Sequence, residues 1–321
     1  GAWSASAPCC SARHWTQRMT ESDTTLTLAL PADFRHPDVL RFYARDREQV
    51  SERTLDQRIE KALHWQGQPA LLQLDFSTPG QAQATLQGAD STPAQLEQQL
   101  RSMLGLKQDI DSLHTAHSKH PEVGPLLAQT PGLRMPQSAS PFEAACWAVI
   151  GQMISVEAAI SVRRKLIRQL GTPLANGMIC HPLPDQLLAA SPEQLRSCGL
   201  SASKAATLTR LASAVESGAL PLDHWAAQPQ PPADEISAAL SQIKGIGPWT
   251  QSYILLRGYG ALDGSLHGDV VVRKRLGALL NLPAPPDQAF TQQWLSQFAP
   301  WRALVAAHLW AMPTDTPTKD Y

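Results

Sequence analysis

Short alternating runs of apolar and polar residues occupy the first third of the chain, and longer helical stripes occupy the rest. Leu26, Leu28 and Leu30 alternate with Thr27 and Ala29, as in a half-buried strand. Ala70 to Phe76 (ALLQLDF) reads as another strand, entered through the turn-like Gln66-Gly67-Gln68-Pro69. Gln81 to Leu86 is placed to pair with it across Thr78-Pro79-Gly80. Asp38 to Ala44, just after Pro37, reads as a short helix, and Leu96, Leu100 and Leu104 mark a helical stripe over Pro93 to Leu104. These elements predict an α+β domain over residues 21–120. Residues 121–136 break the pattern with Pro121, Gly124, Pro125, Pro131, Gly132 and Pro136, and read as a linker.

From residue 137 to 315 the spacing predicts an all-α domain. Phe142, Cys146, Val149, Ile150 and Met153 share one helical face. Ser191-Pro192-Glu193 opens a helix that Gly199 ends, and Lys204 to Ser217 forms another, stopped by Gly218. Pro229 to Pro232 is a loop, and Leu304, His308 and Ala311 continue the helical spacing. His308, alone on an apolar face, reads as a packing residue.

Ile236, Leu240 and Ile243 line one helix face and run into Lys244-Gly245-Ile246-Gly247-Pro248. This predicts a helix, a tight turn and a second helix opened by Pro248, with Ile246 plugged between them. The two glycines allow positive φ and close backbone approach, and the second helix offers its N-terminal N–H groups to a phosphate. An ordinary αα-hairpin with a glycine turn would read the same way. After a loop from Gly260 to Gly268 comes Asp269, followed by Val270-Val271-Val272. An Asp there suits a helix N-cap, the commoner task of such a residue, and the valines could instead form a buried strand.

Composition narrows the function classes. The chain of 321 residues is 43% hydrophobic and 17% charged, which suits two packed domains. No apolar run reaches the roughly 18 residues of a membrane span. The formal charge is −1, from −3 over residues 1–133 and +2 over 134–321, so any nucleic-acid contact must come from a local patch or backbone amides. Cys9, Cys10, Cys146, Cys180 and Cys198 lack metal-like spacing and read as reduced thiols. Residues 1–20, with Met19 as the candidate native start, read as an extension, and 316–321 as a tail.

The residues from Leu240 to Leu280, with Gly245-Ile246-Gly247-Pro248-Trp249-Thr250 and Gly268-Asp269, resemble the helix-hairpin-helix (HhH-GPD) DNA glycosylases, and most closely their DNA-3-methyladenine glycosylase II (AlkA-type) branch. Pro131-Gly132-Leu133-Arg134, Phe142-Glu143 and Gly151-Gln152-Met153-Ile154-Ser155-Val156 look like that branch's opening helices. Pro300-Trp301-Arg302 and His308-Leu309-Trp310 look like its closing helix, and the α+β region like its extra domain, which resembles half of a TATA-binding protein.

The resemblance implies a monofunctional enzyme that flips alkylated bases such as 3-methyladenine or 7-methylguanine out of duplex DNA and hydrolyses the glycosidic bond. Asp269 would be the catalytic carboxylate. Trp249 stands where the lyase-type relatives carry a lysine, and an indole forms no Schiff base. Trp249, Tyr253, Trp310 and Phe42 match the aromatic base pocket; core packing is the alternative reading for the first three, above all for Tyr253 on its apolar helix. Met153 matches the wedge that fills the gap left by the flipped base, where a buried Met is the default, and Gln152 would touch neighbouring bases. Lys244, Gly245, Ile246 and Gly247 would hold a phosphate, and the backbone carbonyls of Ser241, Ile243 and Gly245 a structural Na+ or K+. No cysteine follows Cys198, so no iron–sulfur cluster is expected there. A monomer acting on damaged duplex DNA in a bacterial cytoplasm, at the nucleoid, completes the expectation. The alternatives are a relative tuned to oxidised or deaminated bases, and a non-catalytic DNA-binding protein that would need neither Asp269 nor the aromatics.

Overall fold

A computed structural model describes residues 22–313; the expected N-terminal extension up to residue 20 and the 316–321 tail lie outside the described residues. The N-terminal domain is an antiparallel sheet of five strands: β1 (Thr24–Ala29), β2 (Glu52–Leu55), β3 (Arg58–Trp65), β4 (Gln68–Asp75) and β5 (Gln81–Gln87). Their order across the sheet is β1-β5-β4-β3-β2. Gln66 and Gly67 both have positive φ, 49° and 81°, which is how a two-residue turn joins β3 to β4. The pairing of β4 with β5 runs from Leu71–Gln87 to Asp75–Gln83. Helices His36–Tyr43 and Pro93–Met103 cover one face and meet Ile59, Leu63 and Leu72 in a shared apolar core. Thr92 caps the second of these helices in a capping box with Gln95.

The spacing misses β2 and β3, and buried charge is the reason. Glu52, Glu60 and Lys61 interrupt the apolar alternation, yet all three are buried. Behind β3 and β4, Ala62 and Leu71 pack on Met178 and Cys180. Those two residues belong to a small hairpin, Thr172–Pro173 with Ile179–Cys180, inside the region expected to be all helical.

The C-terminal domain is built around the helix Pro141–Ile150, every residue of which is buried. It ends at Ile150, so the expected run to Met153 is cut short at Gly151. The expected linker is also corrected. Within 121–136, Val123–Gln129 is a helix whose buried Val123 and Leu127 pack with Ile110, Leu113, Leu304 and Val305. The helical layer therefore begins before residue 120, with Asp111–His117. Gly124 is needed for packing rather than for a break, because an added Cβ would lie 2.4 Å from the Ser118 carbonyl oxygen. The three valines open a helix, Val270–Leu279, and not a strand. His308 is buried as expected, and desolvation pushes its pKa down to about 3, so it packs as neutral imidazole. Among the described residues no helix is long and apolar enough to cross a membrane.

Candidate active site and DNA-facing surface

The hairpin joins helix Ala233–Ser241 to helix Pro248–Tyr259. Ile246 is buried in the core with Leu240 and Tyr253, as a plug between two helices must be. The two glycines do different work. Gly245 has φ 101°, and an added Cβ would sit 2.1 Å from Thr207 Oγ1. Gly247 does not need positive φ: it is the N-cap at φ −89°, ψ −176°. Nothing lies within 4 Å of its Cβ position. No side chain caps this helix, so its first-turn amides face outward beside the open space, an arrangement suited to an anion. Lys244 is exposed at the turn.

Met153 is the opposite of a core methionine. It is 100% exposed and held at φ 58°, a backbone conformation unfavourable for a side chain of this kind. Gln152 beside it donates to Gly245 O at 3.0 Å and to Thr250 Oγ1 at 2.9 Å. Its amide nitrogen is thus committed to the hairpin rather than turned to solvent, and it locks the Met153 turn to the hairpin as one surface.

Asp269 is buried at 4% exposure and serves as the N-cap of helix Val270–Leu279. Its Oδ1 accepts from the backbone N–H of Val272 at 2.8 Å and from Trp310 Nε1 at 3.2 Å. Its Oδ2 accepts from Trp249 Nε1 at 3.0 Å. Capping and chemistry are therefore compatible. Three of the four lone-pair sites of a carboxylate are filled by neutral N–H groups, and one site on Oδ2 remains. Trp249 and Trp310 come from the hairpin and closing helices, so the carboxylate sits where three helices converge.

The structure separates the four expected pocket aromatics. Trp249 and Trp310 are half-buried, whereas Tyr253 is fully buried, stacked on Trp249 at 5.2 Å, and accepts from Trp147 Nε1 at 3.0 Å. Tyr253 backs the wall rather than facing the opening. Phe42, Val271 and Trp310 line a cleft of about 630 Å³ between the N-terminal domain and the closing helix. Sequence reading missed Trp147 and Arg45. Trp147 lies inside a helix that is buried all round, so no periodicity singles it out. Arg45 lies past the end of a short helix and reaches the cleft only through the tertiary fold.

Residues 25–140 match the AlkA N-terminal domain family, and residues 146–299 match the HhH-GPD superfamily of base excision DNA repair proteins. DNA-3-methyladenine glycosylase 1 of Schizosaccharomyces pombe is 30% identical over a stretch covering 55% of this chain and 74% of that one. The chain belongs to the HhH-GPD superfamily. Another relative in sequence, DNA-3-methyladenine glycosylase 2 of Escherichia coli, is 31% identical over 59% of this chain, and the match spans 63% of its own length. A probable bifunctional transcriptional activator/DNA repair enzyme AlkA of Mycobacterium tuberculosis is 28% identical, with 41% of its length matched. The chain thus matches less than two thirds of these two relatives. In fold it is similar to a 3-methyladenine DNA-glycosylase from Archaeoglobus fulgidus, with a TM-score of 0.75, 20% identity, and coverage of 89% of this chain and 98% of that one. Within the HhH-GPD frame, the hairpin turn, the Met153 tip and Asp269 are tied together by the Gln152 and Trp249 bonds given above.

Proposed function

We propose that this HhH-GPD protein is a monofunctional DNA glycosylase that removes alkylated bases from duplex DNA. One observation carries the reading: a buried carboxylate is held by two indole N–H groups, one of them from Trp310, which lines a cleft large enough for a base. The phosphate backbone docks on the hairpin amides beside Gly247, and Lys244 adds charge. Met153 enters the stack and fills the gap as the damaged nucleotide swings out. The flipped base lies against Trp249 and Trp310, whose electron-rich faces favour an electron-poor ring. As the C1′–N bond lengthens, positive charge grows on the sugar. Asp269 faces it with a full negative charge that neutral donors position but do not cancel. The free site on Oδ2 is suited to orient the attacking water.

Bond cleavage stops at hydrolysis, because no lysine lines the cleft among the described residues and Trp249 carries no amine. The carbonyls of Ser241, Ile243 and Gly245 are assigned a structural Na+ or K+. Ile243 O already accepts from Ile246 N–H and Gly245 O from Gln152, so each would offer its second lone pair, which suits a weakly held monovalent ion. One chain supplies hairpin, wedge and cleft, so a monomer suffices. Its place of work would be the bacterial nucleoid.

The test is single-turnover release of 7-methylguanine and 3-methyladenine from defined duplexes. Wild-type protein is expected to release both and leave abasic sites without strand cleavage, with no borohydride-trapped adduct. Binding with no excision of any lesion in a panel that also holds oxidised and deaminated bases would instead support a DNA-gripping protein.

A further inference from the structure

The turn that presents Met153 is held from two sides, and one of its holders has no part in the mechanism above. Helix Pro141–Ile150 ends there, and the carbonyl of Ile150 has no partner within the helix. Lys204, which is half-buried, donates to it from Nζ at 2.8 Å. On the other side Gln152 Nε2 reaches Gly245 O and Thr250 Oγ1. Ser155 closes the turn by capping helix Val156–Leu170, its Oγ accepting from the N–H of Ala158 at 3.2 Å. Lys204 itself belongs to helix Ala202–Glu216. Three residues on, along the same helix face, Thr207 lies against Gly245, and Arg210 Nη1 donates to Lys244 O at 3.3 Å. One helix therefore holds both the base of the Met153 turn and the hairpin, and sets the distance between them.

We propose that Lys204 is a positioning residue for the Met153 wedge: by holding Ile150 O it keeps Met153 at the distance from the hairpin that a paired duplex requires. The proposal rests on the glycosylase reading and adds to it a residue remote from the cleft. With a backbone phosphate fixed on the hairpin amides, the depth at which Met153 enters the stack is set by the protein alone. A misplacement of about 1 Å can slow a reaction about a hundredfold. Met153 cannot hold itself in place. Its φ of 58° is unfavourable for a residue with a side chain, and that side chain is fully exposed and packs on nothing. The hold must therefore come from the flanks of the turn, Gln152 on one and Lys204 on the other. An ammonium suits its place because a charge-assisted hydrogen bond is roughly twice as strong as a neutral one. A cation is also favoured at a helix C-terminus, where carbonyl dipoles point outward. Lys204 makes no bond to Asp269, Trp249 or Trp310, so it acts on base flipping and not on bond cleavage.

The experiment measures single-turnover excision of 7-methylguanine at saturating protein, from a paired duplex and from a single strand. It uses the full chain as wild type, Lys204→Met, Met153→Gly and the double variant. Lys204→Met is expected to lower the ratio of duplex to single-strand excision about tenfold. In the Met153→Gly background it should add less than about twofold, because the group it positions is gone. Lys204→Arg keeps a cation on a long stem and should restore most of the ratio. The salt dependence of duplex binding should stay as in wild type; a slope shallower by about one would make Lys204 a phosphate ligand and overturn the assignment. An unchanged ratio, an equal loss on both substrates, or an undiminished effect without Met153 overturns it too. If Met153→Gly leaves the ratio unchanged, there is no wedge to position and the assignment falls with it. Should the single strand react too slowly to measure, the coupling between Lys204 and Met153 on the duplex decides. If Lys204→Met does not melt cooperatively, the shorter, neutral Lys204→Gln takes its place and is judged by the same outcomes. Each of these failures leaves the glycosylase standing, whereas wild-type protein that releases neither 7-methylguanine nor any other lesion refutes the glycosylase itself.

Discussion

Two sets of buried carboxylates, one at the domain seam and one beside the cleft, are held in opposite ways. At the seam between the domains, Glu52 and Glu143 face full cations. Lys61 Nζ lies 3.0 Å from Glu52 and 2.8 Å from Glu143, while Arg163 lies 2.6 Å from Glu52 and 3.2 Å from Glu143. Two negative and two positive charges cancel within one cluster. Beside the cleft, behind Trp310, Asp269 is held by two indoles and one amide, all neutral. The donors satisfy its hydrogen bonds but leave its charge intact. A cancelled charge fixes the seam, whereas an uncancelled one is available to a cationic sugar. Burial alone therefore does not separate Asp269 from Glu52 and Glu143; the charge of their partners does.

The comparison is broken most forcefully at Lys61. Lys61→Met removes one of the two cations and leaves two buried carboxylates to share Arg163. The expected loss is about 3–5 kcal/mol of stability, read by denaturant melts at neutral pH. Acid titration sharpens the point. Burial pushes the Glu52 carboxyl up, but Arg163 and Lys61 outweigh it and hold it well below the usual range; Glu143 is lowered in the same way by Lys61, His181 and Arg163. Carboxyls depressed in the fold stabilise it above their unfolded pKa and lose that stabilisation as pH falls through the folded one. The seam should therefore weaken from about pH 5 downward. With Lys61 gone the depression is smaller, so the stability gap between wild type and Lys61→Met should narrow in acid. A constant gap would mean that Lys61 acts through packing alone.

Asp269→Asn makes the complementary test. Asn keeps the capping oxygen, but its amide nitrogen would face the Trp249 N–H that now donates to Oδ2, so stability should fall modestly, by about 1–3 kcal/mol, with the fold retained. The charge is lost, and excision should fall about a hundredfold or more in single-turnover assays while duplex binding survives. A variant that excises normally would show that the uncancelled charge has no catalytic use.

These two sites also show what could be read in advance. Asp269 was legible because the hairpin, the glycine before it and the helical stripe after it are local patterns. The seam was not. Glu52, Lys61, Glu143 and Arg163 are far apart in sequence, and the same charges that pair across the seam erased the alternation of β2 and β3. The helix Val123–Gln129 was hidden for a related reason: Pro125 and Gly124 signal a break locally, but tertiary packing against Leu304 and Val305 overrides it. Arg45 had no local signal, because the cleft it lines forms between the domains.

The hairpin glycines give a smaller contrast of the same kind. Gly245→Ala meets both the left-handed φ and the approach of Thr207 Oγ1, and should cost about 1–2 kcal/mol or more of stability. Gly247→Ala has neither obstacle and should change stability by less than about 0.5 kcal/mol. Its methyl group would stand in the space assigned to the phosphate, so DNA affinity should fall without a change in melting temperature. Equal effects of the two substitutions on the fold would contradict the different geometries at the turn.

The least effect on stability is expected at Met153, where the separation between fold and function should be most complete. The side chain is fully exposed, so its removal uncovers nothing. Met153→Gly also relieves the left-handed φ of 58°, and this gain is offset by the greater freedom of glycine in the unfolded chain. The two terms should leave stability within about 0.5 kcal/mol of wild type. What the side chain can do is fill the hole in a stack once a base has left it, an apolar burial worth about 1.5–3 kcal/mol. Excision from a paired duplex should therefore slow about tenfold, while excision from a single strand, which has no stack to hold open, should be unaffected. An equal slowing on both substrates would place Met153 in the cleft chemistry rather than in the stack. A large drop in melting temperature would mean that this turn, like the seam, serves the fold.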